Sequence, residues 1–107
     1  MSYEFTDPFL VRRVTPERIA AAEADVGALF DSARLSAFWH DKLVVLRAYV
    51  IAARENQSEA NDLYSEKLKH YQREYEQALS SARAELARAD AEAGRAVFMH
   101  AVPILRG

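Results

Sequence analysis

The chain has 107 residues, half of them hydrophobic, which is the size of one domain with enough apolar surface for a core. Fourteen basic and sixteen acidic residues give a net charge of −2 and a pI near 5.9, unlike the high pI usual in a domain that grips nucleic acid, and leave only a local basic tail from Arg95 to Gly107 open. The lack of cysteine excludes disulfides, a thiol nucleophile and the usual structural zinc sites, and three glycines and three prolines disfavour a sheet protein with its many turns.

Residues 1–14 read as an extended segment. Its start, Met1 to Pro8, is acidic and lacks the apolar core of a signal peptide. Asp7-Pro8 signals a turn, because the proline ring pushes Asp7 away from helical angles. Phe9 and Leu10 follow, and they require cover from the chain's own core or from a neighbouring subunit. Thr15-Pro16-Glu17 then opens a helix: threonine caps free amides, proline suits the first helical position and glutamate favours the positive end of the dipole. Ile19, Ala22, Val26 and Phe30 recur at three- and four-residue steps, and the helix is expected to end between Phe30 and Leu35.

A second helix is predicted from about Ala37 to Arg54. Phe38, Trp39, Leu43 to Leu46 and Tyr49 to Ile51 cover most of its circumference, so it should form the buried centre, with Leu43, Leu46 and Val50 inside. Its most apolar stretch, Leu43 to Ala53, is interrupted by Arg47 and falls far short of the ~20 residues of a membrane span, so a soluble protein is expected. After a connection with Ser58 as cap, the third helix is predicted from Glu59 to about Asp90, ~45 Å long. Ala60, Tyr64, Leu68, Tyr71, Tyr75, Ala78, Ala82, Leu86 and Ala89 form a narrow apolar seam along it. Gly94 is predicted to break the helix, and Pro103 to keep Val97–Leu105 out of helix, leaving an apolar strand or extended arm that contains Arg95, His100 and Arg106 and no acidic residue.

Catalytic signatures are absent. Three scattered glycines cannot build a phosphate-cradling loop, and no serine stands in a G-x-S-x-G context. His40 and Asp41 are neighbours in sequence and are expected to point different ways on a helix. Glu66, His70 and Glu74 align on one face, but three ligands in a single row do not surround a metal, and a solvated face is expected. Tyr64, Tyr71 and Tyr75 lie on the seam and read as packing residues at a helix–helix or subunit contact, since a base-stacking platform would need a basic groove.

The order of these segments resembles a known family. A helix opening with Thr15-Pro16-Glu17 precedes the apolar Leu43-Val44-Val45-Leu46-Arg47-Ala48-Tyr49. Then comes Glu66-Lys67-Leu68, with Tyr71, Tyr75 and Leu79 at four-residue steps, and last Pro103-Ile104-Leu105-Arg106-Gly107. This pattern, from Thr15 to Gly107, resembles the head–tail connector (adaptor) proteins of tailed bacteriophages and gene transfer agents, with Leu68 where alanine is common. The resemblance implies a virion protein made in the host cytoplasm. It would form a homo-oligomeric ring, typically a dodecamer, between the portal protein and a downstream stopper or tail protein. DNA would pass through without sequence-specific binding.

The expectation is therefore an all-α three-helix bundle with one long helix, an extended N-terminal segment (1–14), a helical domain (15–94) and an extended C-terminal arm (95–107). Its expected role is structural rather than enzymatic, with no cofactor, metal or membrane. The candidate partner-interface residues are Phe9, Leu10, Tyr64, Tyr71, Tyr75, Val97, Phe98, Met99, Val102, Ile104, Leu105 and Arg106. A small cytosolic regulatory or scaffolding protein that dimerises through its long helix is the other reading.

Overall fold

The computed structural model describes residues 3–31, 34–57 and 62–106, with side chains up to residue 93. Helix α1 spans Pro16–Leu29, α2 spans Ala37–Glu55 and α3 spans Asp62–Arg106, and the described residues form no strand. The all-α fold with one long helix is as the sequence predicts.

The helix starts follow their caps. Thr15 is extended, and its Oγ1 accepts the Arg18 backbone N–H at 3.3 Å, with Pro16 as the first helical residue. Ser36 does the same for α2, its Oγ accepting the Trp39 N–H at 3.3 Å. The far end of α2 is closed by Asn56, whose side-chain amide donates to the Ala52 carbonyl at 2.7 Å. Ser58 lies outside the described residues.

Helix α2 is the centre, with α1 and α3 packed against it. Leu43, Val44 and Val50 have no exposed surface, and each contributes about 1.5–3 kcal/mol by leaving water. Ala22, Val26 and Phe30 close the core from α1, and Tyr75, Ala78 and Ala82 close it from α3. Arg47, which interrupts the apolar run of α2, ties all three helices together. Its Nε donates to Asp25 of α1 at 2.8 Å, and its guanidinium lies 5.7 Å from the Tyr75 ring of α3. A second α1–α2 pair, Arg18 to Glu55 at 2.6 Å, stands at the surface.

Three expectations are corrected. Leu46 is only partly buried, because it sits on the flank of α2 beneath the N-terminal segment and beside an open groove. The N-terminal segment is not extended throughout: it turns at residues 8–10 and makes a short 3-10 turn at Val11–Arg13. The third helix does not stop at Gly94 but continues as helix to Arg106, so residues 95–106 are not an extended arm. A glycine inside a helix costs only about 1 kcal/mol relative to alanine, and Ala91, Glu92, Ala93, Arg95 and Ala96 around Gly94 are nearly all good helix formers. Pro103 falls in the last turns, where it removes a hydrogen bond from a helix that is already ending.

Leu43→Ala should destabilise the fold by about 2–5 kcal/mol, as expected for a cavity in a closed core. Leu46→Ala should cost less than half as much, and paired denaturant titrations of the two variants test this ordering.

Candidate interaction surface

Asp7 is the best-connected polar side chain. It is buried, yet every one of its acceptor positions is used. One carboxylate oxygen accepts the backbone N–H groups of Phe9 (2.9 Å) and Leu10 (3.1 Å), which folds the chain into its turn. The other accepts from Lys67 Nζ at 2.9 Å and from the Tyr71 hydroxyl at 2.5 Å, both on α3. The Asp7 N–H itself donates to the Tyr49 hydroxyl on α2 at 3.0 Å. Burial alone would raise the Asp7 pKa, but the hydrogen bonds from Tyr71, Lys67 and the two amides outweigh it and hold the carboxyl at about 2. The Tyr71 hydroxyl is pushed up, by burial and by this same carboxylate.

This anchor lays residues 3–13 across the tyrosine seam. Leu10 has no exposed surface and packs with Tyr49, Ala53 and Tyr64. Phe9 meets Tyr64 in a tilted contact at 4.8 Å between ring centroids, and Phe5 meets Tyr49 edge-on at 5.6 Å. Arg13 donates to the Tyr64 hydroxyl at 2.9 Å, and Tyr3 donates to Glu23 of α1 at 2.7 Å. Of the candidate interface residues, Leu10, Tyr64 and Tyr75 are therefore buried within the chain, and Phe9 and Tyr71 are partly so. The contact that the seam makes is helix–helix and strap–helix, and these buried residues offer no free face to a partner. Val97, Phe98, Met99, Val102, Ile104, Leu105 and Arg106 lie in the part of α3 whose backbone alone is described, so their side-chain contacts lie outside the described residues.

Two features bear on a partner surface. Phe38, in the first turn of α2, is two-thirds exposed. It stands at the mouth of a groove of about 510 Å³ between the strap and α2, floored by Val45, Leu46 and Tyr71 and edged by Glu4 and Asp41. Lys42 crosses this edge with its ammonium 5.7 Å from the Phe38 ring. Sequence reasoning missed the groove, because it exists only once the strap is laid against α2.

The second feature is the length of α3. Its core contacts reach Leu86, and Arg34, in the α1–α2 connection, forms an ion pair with Asp90 that raises the guanidinium pKa. The helix then runs sixteen residues further, to Arg106, about 24 Å. The molecule measures 73 × 25 × 20 Å in consequence.

The sites weighed for chemistry are ordinary surface pairs. His70 Nε2 lies 3.9 Å from Glu74, with both side chains about half exposed. Among the described residues no group of His, Cys, Asp or Glu gathers to hold a metal. His40 and Asp41 do not point apart as expected: Nδ1 is 3.0 Å from the Asp41 carboxylate, within hydrogen-bond reach at the start of α2. Among the described residues no helix is long and apolar enough to cross a membrane. Comparison of the chain with protein-family models, curated proteins and solved structures finds no match.

An Asp7→Asn variant isolates the anchor's charge. The unfolded carboxyl takes up its proton near pH 3.9, whereas the folded one stays ionised down to about 2. Between these values the unfolded state binds more protons, so the contribution of Asp7 is complete above pH ~4 and falls away toward pH 2. Wild type should exceed Asp7→Asn by about 2 kcal/mol at neutral pH, and the gap should close over that window. Urea titrations of both proteins at pH 6 and pH 2.5 measure it; an unchanged gap would mean that the charge contributes nothing.

Proposed function

We propose that the chain is a non-catalytic, self-assembling structural subunit of the head–tail connector (adaptor) class. In this reading it forms a ring at the head–tail junction of a virion, between a portal protein and a stopper or tail protein, with DNA passing through its lumen. The observation that carries the reading is the helix that outruns its own bundle. The last sixteen residues of α3 hold Val97, Phe98, Met99, Val102, Ile104 and Leu105, and such an apolar helix end requires a protein surface to cover it. The order of helix starts, the Glu66-Lys67 stretch with Tyr71, Tyr75 and Leu79, and the apolar C-terminal residues support the class. A net charge of −2 suits a lumen past which DNA slides, since a strongly basic lumen would hold the phosphates.

The rival, a regulatory or scaffolding dimer joined through the tyrosines of the long helix, is less well supported, because Tyr64 and Tyr75 are buried inside the single chain. Light scattering and negative-stain microscopy of the purified protein, alone and with a portal protein, test the proposal. The expected result is a closed ring of about twelve subunits. Deletion of residues 95–107 should leave the helical content of the bundle and its unfolding transition in place while removing the ring. A wild-type chain that stays monomeric alone and with portal, or is a compact dimer, would contradict it.

A further inference from the structure

Resting on the reading of the chain as a self-assembling subunit, we infer that the C-terminal end of α3 docks into the Phe38 groove of a second copy, head to tail. Three observations lead there. The first is the sequence pattern of the helix end. By the helical period, Ile104, Val97, Ala101, Leu105, Phe98 and Val102 fall within about 160° of one side with Arg95 and Arg106 on its border, while Ala96, Met99, His100 and Pro103 fall on the other. That is the register of an amphipathic helix that lies in an apolar groove.

The second observation is the groove itself. Phe38, Val45 and Leu46 present apolar surface there, between the acidic edges Glu4 and Asp41. From Gly94 onward the helix has Arg95 and Arg106 and no acid, so the charges of the two partners complement one another, with Lys42 the one like charge in the groove. The third observation decides between the same chain and a second one. Tyr71 lines the groove, and α3 is continuous from Tyr71 through Arg106. Along an unbroken helix Val97 stands about 39 Å from Tyr71, and it lies about 12 Å beyond Ala89, which faces the start of α2 near Phe38, with Leu105 about 24 Å beyond it and the helix running away from the groove. The helix end cannot return to its own groove. The occupant is the helix end of another copy.

A contact between two different surfaces of the same chain is heterologous, and such contacts close into rings or continue as filaments. The groove and the helix end thus form a repeating donor–acceptor pair, and Glu4 and Asp41 fix its polarity.

Complementation between two full-fold variants tests this. Phe38→Asp spoils the groove at an exposed position and keeps the helix end; deletion of residues 95–107 spoils the helix end and keeps the groove. Each alone should be monomeric by light scattering. Mixed in equal amounts they should give a heterodimer of one chain of each kind, since only one groove and one helix end remain intact. Val45→Asp, spoiling the groove at a second position, should behave as Phe38→Asp does. If Phe38→Asp and Val45→Asp still form the wild-type assembly, or if the mixture stays monomeric, the docking is wrong. A wild-type filament with successful complementation would keep the docking and reject the ring; wild-type rings with failed complementation would keep the connector reading and reject the docking.

Discussion

A carboxylate taken out of water must find partners for both oxygens, and Asp7 finds them on two separate parts of the chain. Its own turn supplies two amides, α3 supplies Lys67 and Tyr71, and its backbone N–H reaches Tyr49 on α2. Removal of an amide, Lys67 or Tyr71 would leave a buried charge short of a partner, and removal of Tyr49 would orphan a buried amide, so the N-terminal strap has one place to sit. With the strap in place, Leu10, Tyr49 and Tyr64 close a second small core beside the main one. The chain thereby consumes the aromatic surface that its sequence offers to others.

What is left for a partner follows from that closure. The strap covers the Tyr64 end of α3, α2 covers the middle, and the Arg34–Asp90 pair is the last contact with the bundle among the described side chains. Beyond this point the backbone of α3 continues as helix to Arg106, and the long axis of the molecule, 73 Å against 25 and 20 Å, is largely that helix. An asymmetric shape with an apolar groove near one end of α2 and an apolar helix end far from it suits repetition of one contact from subunit to subunit.

Much of the helical fold is legible in the sequence because its determinants are local. Thr15, Pro16 and Ser36 set helix starts through bonds three residues long, and the apolar circumference of α2 marks it as the centre. The seam Tyr64, Tyr75, Ala78 and Ala82 is buried as its period predicts. The Asp7 anchor is not legible, since its partners lie 42, 60 and 64 residues away and Asp7-Pro8 alone reads as a surface turn. The end of α3 is misjudged when Gly94 and Pro103 are weighed singly, because neighbouring helix formers and the momentum of an established helix decide the outcome. Leu46 and the groove escape for a related reason: periodicity shows α2 to be apolar all round, not which flank the strap leaves open.

The absence of cysteine gives a clean background for the most direct measurement. In a Phe38→Cys, Val102→Cys double variant the two positions cannot join within one chain, because the start of α2 lies beside Ala82–Ala89 of α3 and Val102 stands about 20 Å further along that continuous helix. Mild oxidation of the assembled protein should yield a ladder of covalent oligomers on a denaturing, non-reducing gel, reaching the full ring, while each single variant should give no more than dimers. A double variant that oxidises only to dimers, or that stays monomeric, would contradict head-to-tail docking of the free helix end.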